Sequence, residues 1–339
     1  MKKVVIWGVA GIFANYYSTI DLLAQEMEID IIGLIDKSLS GKSIMIDNKP
    51  CIVCQPSELD FSECDHLVIA AKNAFKNIVE EAKTFGISED KCIFIGDFAK
   101  NFTQINKIKS AERKRQFEII QEILRASDDE ITDYNWMFEH VGEFGVHCFS
   151  DDWMSYSGVN WTDRGYLQVP EEFTQYLCML GQLKNIKTAI EIGVFAGLSS
   201  YIICAVLSRN NPELEYTLVD IVDVLEDYED FAKLLPALRK RIPSTSTDYI
   251  GQQYDFVFID ADHSYDASIA DYENLGKYAN TIVTFHDIYA HEYDSLNGGT
   301  VRMWQEVKCQ TMENPSYEIK EFSKYPNKWM GIGCIIKNS

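Results

Sequence analysis

The sequence predicts an α/β protein with two domains, each built around a mostly parallel sheet. Apolar, strand-like runs alternate with helix-length segments over residues 1–100, and the same alternation returns from residue 165 to the end. In each half, the first clear strand of the alternation runs into a glycine-bearing turn and then a helix. We predict domains at 1–100 and 165–339, with a helical and aromatic-rich connector at 101–164.

The first domain alternates short apolar runs with helix patterns. Because strands separated by helix-length segments need crossover connections, they are predicted to be parallel. The predicted strands are Val4–Trp7, Ile29–Ile35, His66–Ala70 and Cys92–Ile95. The predicted helices run from the first glycine turn to about Glu26 and over Asn73–Thr84.

The connector has two parts. Phe117, Ile120 and Leu124 share one face of a charged segment, which predicts an amphipathic helix. Residues 131–170 are rich in aromatic residues and show no clear period. They are interpreted as core filler or as a lid or docking segment, because aromatic side chains bury large areas.

From Pro170 the predicted elements run helix, strand, helix and then further strands. Two of these strands end in Asp220 and Asp260, and another is followed by His286 and Asp287. The predicted helices are Glu171–Leu183 and Ser199–Ser208. The predicted strands are Thr188–Ile192, Tyr216–Val219, Phe256–Ile259, Thr281–Phe285 and Gly331–Ile336.

Charge and composition exclude several classes of function. The formal net charge is −21 and residues 1–100 contain no Arg, so the basic field that nucleic acids require is missing. The sequence contains no run of about 18 apolar residues, so no membrane span is predicted. Scattered cysteines without a secretion signal favour a cytoplasmic location.

A glycine-lined bend, IEIGVFAGLSS, follows the strand at 188–192. Gly193 and Gly197 would let the backbone approach a ligand, and the helix that follows offers free N–H groups near Ser199. The acid Glu191 inside this bend would repel a phosphate. A cationic ligand with a carboxylate fits better, and S-adenosylmethionine carries a sulfonium, an ammonium and a carboxylate.

Asp220 lies at the end of the next strand, where an acid can accept hydrogen bonds from both hydroxyls of a ribose. Alone, it could equally be a solvated acid at a strand end. Its combination with the glycine bend favours binding of a nucleoside.

Polar residues also follow two later strands: Asp260, Asp262, His263, His286 and Asp287. The carboxyl ends of parallel strands meet at one edge of a sheet, so these side chains are expected to converge there. Two acids and a histidine can bind a divalent cation or supply a general base. A hydrogen-bonded structural network is the alternative.

In the first domain, Gly8-x-x-Gly11 after a strand and Asp36 after the next strand form a degenerate dinucleotide fingerprint. This pattern predicts a second, N-terminal nucleotide site. It also supports an alternative function, that of an NAD(P)-dependent oxidoreductase.

The C-terminal motifs resemble class I S-adenosylmethionine-dependent methyltransferases, in particular the sugar and macrolide-sugar O-methyltransferases and the cephalosporin-hydroxylase-like group. The resemblance is carried by GYLQVPEEFTQYL, IEIGVFAGLSS, FIDADHSYDASIADYENL, TFHDIY and GGTVRMWQEVK, over residues 165–337. It implies that the C-terminal domain, the second of two predicted Rossmann-like domains, has a mostly parallel seven-stranded sheet. The residues it implies for cofactor binding are Glu191, Gly193, Phe195, Gly197, Ser199, Asp220 and Asp260.

The same resemblance implies a metal at Asp260, His286 and Asp287. His286 departs from the pattern, because it replaces a carboxylate and Mg²⁺ prefers oxygen ligands. Two interpretations therefore remain open. One is a divalent cation at this site. The other is a metal-free site in which Asp260, His263 and His286 are the catalytic residues and one histidine is the base.

The N-terminal run IWGVAG, GLIDKS, LVIAAKN and FGISEDK resembles a small Rossmann-like domain found beside sugar-modifying enzymes and in sugar acyltransferases that bind nucleotide-sugars. This resemblance implies a nucleotide-sugar ligand or a role in presenting the acceptor. A purely structural or dimerising domain, and so a homo-oligomer, is the alternative.

Together these observations predict methyl transfer from S-adenosylmethionine to a small molecule, through a hydroxyl of a sugar or nucleotide-sugar. The alternatives are the NAD(P)-dependent oxidoreductase and a non-catalytic nucleotide-sugar-binding protein.

Overall fold

The computed structural model describes residues 1–149, 156, 158–289, 291–324 and 329–338. The chain divides into an N-terminal unit, residues 1–115 and 144–165, and a C-terminal unit, residues 116–143 and 166–339. The stretch predicted as a connector, 101–164, is therefore shared between the two units.

The N-terminal unit contains a six-stranded sheet with the order β3-β4-β2-β1-β5-β6. It is parallel except for the antiparallel pair β3–β4. The order reverses between β1 and β5, the place where open α/β sheets form a ligand crevice. The strands are β1 (Lys2–Trp7), β2 (Ile29–Ile35), β3 (Ser43–Ile46), β4 (Lys49–Cys54), β5 (His66–Ile69) and β6 (Cys92–Phe94).

The β3–β4 hairpin is absent from the sequence-based prediction. Its turn residues, Asp47 and Asn48, have φ of 51° and 57°. Asp and Asn tolerate this left-handed geometry, which two-residue hairpins require. The short strands on either side carry mixed polar and apolar residues, so their period is weak. The helices of this part of the chain are α1 (Ile12–Gln25), α2 (Phe75–Thr84), α3 (Ile95–Ala99) and α4 (Gln104–Arg125), the last continuing into the C-terminal unit.

The C-terminal unit contains the predicted mostly parallel seven-stranded sheet, with the order β12-β13-β11-β10-β7-β8-β9. Only β13 runs against its neighbours, β11 and β12. This arrangement confirms the predicted fold class. The strands are β7 (Thr188–Ile192), β8 (Glu215–Val219), β9 (Leu238–Arg241), β10 (Phe256–Ile259), β11 (Ile282–His286), β12 (Tyr317–Phe322) and β13 (Ile332–Lys337).

Helices cover this sheet and begin at recognisable signals. Pro170 occupies the first turn of α7, and the Ser264 side chain caps α10 by accepting from the Ala267 N–H. The helices are α5 (Asp128–Thr132), α6 (Tyr134–Phe144), α7 (Pro170–Leu180), α8 (Leu198–Asn210), α9 (Tyr228–Leu234), α10 (Tyr265–Asn274) and α11 (Gly299–Thr311). Among the residues that the structure describes, none of the helices has the length and apolar character needed to cross a membrane.

Part of the aromatic-rich stretch forms α6, whose Met137, Val141 and Phe144 are buried. Among its aromatic side chains, Phe144 is buried and Tyr134 is 38% exposed, so the interpretation as core filler holds for Phe144. The interpretation as a lid also involves residues 150–155 and 157, which lie outside the described residues.

The central strands of the C-terminal sheet position the site. All four residues of β10 are buried, because helices lie on both faces of a parallel sheet. Polar residues that follow such a strand cannot enter the core and lie at the carboxyl edge of the sheet. The exits of β7, β8, β10 and β11 meet at this edge.

Candidate active site

The glycine bend between β7 and α8 approaches the neighbouring strand exit very closely. Gly193 has φ of 87°, and a Cβ at this position would lie 2.1 Å from the carbonyl oxygen of Asp260. Only glycine fits both this conformation and this contact. The bend therefore brings the exits of β7 and β10 to within backbone contact.

The second glycine of the bend, Gly197, is required for a different reason. Gly197 has φ of 80° and caps α8, and a Cβ there would lie 2.7 Å from Leu225 and 2.9 Å from Tyr201. Its need for glycine thus comes from packing against protein.

Asp220 closes the side of the bend next to β8. Its Oδ2 accepts a hydrogen bond from the Phe195 N–H at 2.9 Å, and its Oδ1 accepts one from the Val222 N–H at 3.2 Å. These contacts fix the carboxylate beside the bend and leave further lone pairs on both oxygens.

A cavity of about 480 Å³ opens at this edge of the sheet. Gly193, Phe195, Asp220 and Asp260 line it, whereas Glu191, Gly197 and Ser199 do not. Phe195 is 58% exposed on its wall. The other lining residues are Ile192, Ile221, Ser244, Thr245, Ser246, Ala261, Asp262, Ala267 and Asp271.

Glu191 lies behind the cavity and not on its surface. Its side chain is in the core, 1% exposed, and Oε2 accepts a hydrogen bond from the Tyr216 hydroxyl at 2.6 Å. Burial raises the pKa of Glu191 to about 8. A mostly neutral, internal carboxyl supports the bend from behind, which differs from the direct contact with a cationic ligand that we expected.

Glu191 should make the protein less stable as the pH rises. Its pKa in the folded state is above its ordinary value of 4.5, so the folded protein binds more protons and the free energy of unfolding falls between about pH 4.5 and pH 8. We expect Glu191→Gln to reduce this fall. Urea unfolding of both proteins at several pH values measures it, and an unchanged slope would contradict the assignment.

The predicted polar residues of β10 and β11 do converge. His286 Nδ1 lies 3.2 Å from Asp260 Oδ1 and 3.6 Å from Asp287 Oδ1. His263 Nε2 lies 3.5 Å from Asp260 Oδ1 and 3.1 Å from Asp287 Oδ2. We call Asp260, His263, His286 and Asp287 the polar cluster. Asp262 is not part of this cluster: it lines the cavity and accepts a hydrogen bond from the Ser264 N–H at 2.8 Å.

Burial and charge act against each other in the polar cluster. Burial alone would lower the pKa of His286, but the carboxylates of Asp260 and Asp287 outweigh it and raise that pKa to about 10. The pKa of His263 is raised for the same reason, against the effect of burial. Burial opposes ionisation of Asp260, yet the two histidines lower its pKa.

The two histidines differ in access. The side chain of His286 is 4% exposed and that of His263 is 26% exposed. Of the two, His263 is therefore the one that a substrate can reach.

Three further residues belong to the site and were missed in the sequence analysis. Gln168 and Glu172 are buried beside the polar cluster, and Gln168 Nε2 donates to Asp260 Oδ2 at 3.3 Å. The Tyr293 ring lies 4.4 Å from the ring of His263, and its hydroxyl bonds to Asp287. Tyr293 lies in a short turn of 3-10 helix with no sequence period, so nothing in the sequence marked it.

Asp260, His286 and Asp287 each offer a ligand atom within 4.8 Å of the other two. Two carboxylates and an imidazole suit ions that accept nitrogen, such as Mn²⁺ or Zn²⁺. They suit Mg²⁺ poorly, because it prefers oxygen ligands.

The N-terminal unit has its own cleft at the switch point of its sheet, with a volume of about 280 Å³. Gly8, Gly11, Asp36 and Lys72 line it. The Asp36 carboxylate accepts hydrogen bonds from the N–H groups of Val9 and Ser38 and from the Ser38 hydroxyl. Asp36 is thus largely occupied with holding its own loops together.

A family model described as "Methyltransferase domain" matches residues 190–288. This range includes the glycine bend, Asp220 and the whole polar cluster. The matched range lies within the C-terminal unit. A second family model, described as "C2185-like, N-terminal", matches residues 1–93.

The chain is also similar to named proteins. A probable caffeoyl-CoA O-methyltransferase 3 from Dictyostelium discoideum is 25% identical over 137 residues, which cover 36% of this chain and 52% of the relative. The chain thus spans about half the length of that curated relative.

Two solved structures show the extent of structural similarity. An O-methyltransferase from Bacillus cereus in complex with SAH has a TM-score of 0.39 at 14% identity, over 52% of this chain and 84% of that one. A putative caffeoyl-CoA O-methyltransferase from Staphylococcus aureus has a TM-score of 0.36 at 16% identity, over 47% of this chain and 80% of that one.

Proposed function

We propose that this protein transfers a methyl group from S-adenosylmethionine to a hydroxyl of a small molecule. The observation that carries the proposal is the cavity at the carboxyl edge of the sheet, where the bend at Gly193 and the Asp220 carboxylate lie side by side. The bend, Asp220 and the polar cluster all lie within the matched methyltransferase domain.

The residues of the cavity fit the cofactor. Asp220 is placed to accept hydrogen bonds from ribose hydroxyls, and Gly193 lets backbone approach the ligand. Phe195 and Ile221 offer apolar surface on the same walls. When bound, S-adenosylmethionine supplies an electrophilic methyl group on a sulfonium.

His263 is the group we propose as general base. It is the more exposed histidine of the polar cluster, and its Nε2 lies 3.5 Å from Asp260 Oδ1 and 3.1 Å from Asp287 Oδ2. A positioned base accepts the proton of an acceptor hydroxyl as the oxygen becomes nucleophilic, an effect worth about 10²–10⁴-fold in rate. His286 is buried and its raised pKa keeps it protonated at neutral pH, so we assign it to holding Asp260 and Asp287.

If a divalent cation occupies this site, Asp260, His286 and Asp287 are the residues that would hold it. It would supply a positive charge that favours the ionised form of the acceptor. Their donor set favours Mn²⁺ or Zn²⁺ over Mg²⁺.

As acceptor we propose a sugar or a nucleotide-sugar. The resemblance of residues 165–337 to sugar O-methyltransferases supports a sugar. The similarity to a protein named as a caffeoyl-CoA O-methyltransferase makes a phenolic hydroxyl the acceptor to test beside it.

For the N-terminal unit we propose a nucleotide-type ligand at Gly8 and Gly11. The cleft lies at the switch point of a parallel sheet, and Lys72 on its wall supplies a positive charge. Since the Asp36 carboxylate is engaged by its own loops, ribose binding there is not part of the proposal.

Calorimetry with S-adenosylmethionine tests the cofactor assignment. We expect binding by the wild type and a loss of about 10–100-fold in Asp220→Asn, because hydrogen bonds to a charged group are worth about 1.5–3 kcal/mol. NADH and a nucleotide-sugar are titrated in parallel, to test the oxidoreductase and the non-catalytic alternatives.

Asp223→Asn is the matched control, because Asp223 lies in the same loop but pairs with Lys240 at 2.7 Å. Equal weakening by both variants, or no heat from S-adenosylmethionine with or without Mn²⁺, would contradict the proposal. A panel of sugars, nucleotide-sugars and catechols, assayed by release of S-adenosylhomocysteine, then identifies the acceptor.

A further inference from the structure

Two polar side chains from one short segment are buried beside the polar cluster. Gln168 stands just before α7 and Glu172 lies in its first turn, four residues later. They are 2% and 0% exposed. Burying such groups is costly unless they are engaged, so their position calls for a role.

Gln168 contacts the aspartate that both histidines share. Its Nε2 donates to Oδ2 of Asp260 at 3.3 Å. The other oxygen, Oδ1, is the one that lies 3.2 Å from His286 and 3.5 Å from His263. The amide therefore fixes which oxygen of Asp260 faces the histidines.

Glu172 connects the start of α7 with the strand on the other side of His286. Its Oε1 accepts a hydrogen bond from the Gly331 N–H at 3.2 Å. The carbonyl of the preceding residue, Met330, accepts from the Tyr289 N–H at 2.7 Å. Glu172 is thereby tied to the chain that leaves β11 directly after the polar cluster.

Glu172 and His286 each have a buried polar atom without a hydrogen-bond partner in the described part of the chain. Within the described residues, Oε2 of Glu172 and Nε2 of His286 are both buried and have no hydrogen-bond partner. Each of these side chains affects the pKa of the other: His286 lowers that of Glu172, and Glu172 raises that of His286. Buried polar atoms without a partner are rare in proteins and mark strain, a functional role or an unseen water.

We propose that Gln168 and Glu172 are positioning residues of the reaction centre. Gln168 sets the orientation of the Asp260 carboxylate, and Glu172 holds the ring of His286 with Nδ1 toward Asp260. The reaction to which this applies rests on the proposed function, whereas the positioning itself is a property of the protein without ligand.

The orientation of the rings can be measured directly. In full-length protein labelled with ¹⁵N-histidine, long-range ¹H–¹⁵N spectra report the imidazole nitrogens, and His286→Gln and His263→Gln assign the two residues. In Glu172→Gln we expect the resonances of His286 to shift. The amide keeps an oxygen for the Gly331 N–H, so the fold is retained, but an NH₂ group replaces the second carboxyl oxygen, Oε2, which has no hydrogen-bond partner among the described residues of the wild type.

Glu171→Gln is the matched control, since Glu171 is the neighbouring residue on the same turn and is only partly buried. It should leave the resonances of His286 at their wild-type positions. A purely structural role of Glu172 predicts a loss of stability with an unmoved His286 resonance, and that result would overturn its assignment.

Gln168→Leu provides a second test that holds even if the Glu172 variant does not fold. Because Gln168 orients the aspartate that both histidines contact, we expect the resonances of both His263 and His286 to move. Unmoved resonances would refute the role of Gln168. If the variants show these shifts but the wild type gives no heat with S-adenosylmethionine, the proposed function fails and the positioning roles stand.

Discussion

Replacing Gly193 with alanine is expected to weaken the binding of S-adenosylmethionine by roughly 100-fold or more. The added Cβ would lie 2.1 Å from the carbonyl oxygen of Asp260 and 2.5 Å from the Cα of Ala261, and neither backbone atom can move alone. A left-handed conformation costs an L-residue about 1–2 kcal/mol, and overpacking costs about 1–3 kcal/mol more. Calorimetry should therefore show a loss of roughly 100-fold or more.

The variant Gly251→Ala separates the effect of backbone strain from the effect of the steric contact with Asp260. Gly251 has φ of 74°, so alanine meets the same backbone strain, but its Cβ would have no atom within 4 Å. We expect this variant to be mildly destabilised and to bind the cofactor as the wild type does. Normal binding by Gly193→Ala, or equal loss in both variants, would show that the contact with Asp260 does not shape a cofactor site.

Replacing His263 with glutamine should lower kcat by about 10²–10⁴-fold on the acceptor found in the panel, with little change in the affinity for S-adenosylmethionine. The reason is that glutamine cannot take a proton from the acceptor hydroxyl. The raised pKa of His263 adds a pH dependence. A base must be unprotonated, so wild-type kcat should increase with pH through a value above 6.5.

His291→Gln is the control for this variant, because the side chain of His291 is 74% exposed and lies 3.7 Å from Asp294 in the same loop. It should keep wild-type kcat. Retention of activity in His263→Gln, with the same rise with pH, would assign the proton transfer to another group.

The sequence revealed the site's main acids because the fold fixes where strand ends go. Asp220, Asp260 and Asp287 each follow an apolar run, and in a parallel sheet the ends of such runs share one edge. The predicted convergence of Asp260, His286 and Asp287 needed no knowledge of loops. The boundaries of β7 and β10 also agree with the predicted ones, since both strands are buried on both faces.

The burial of individual side chains and their long-range contacts could not be predicted in this way. The sequence pattern places Glu191 next to the bend, but the hydrogen bond to Tyr216 that turns it inward depends on the register between β7 and β8. The contact between Glu172 and Gly331 joins positions 159 residues apart. Asp36 has the spacing of a ribose ligand, yet local backbone N–H groups already occupy its oxygens.

The order of strands in the C-terminal sheet has a consequence for how such a protein diversifies. The walls of the 480 Å³ cavity come largely from the exits of β7, β8 and β10, while β11 and the antiparallel β13 bring Tyr289 and Gly331 to the opposite flank. Loops on that flank can be lengthened, shortened or exchanged without rebuilding the glycine bend. Descendants of one ancestral chain can therefore acquire new chemical targets while inheriting an unaltered form of the pocket that we propose for the cofactor.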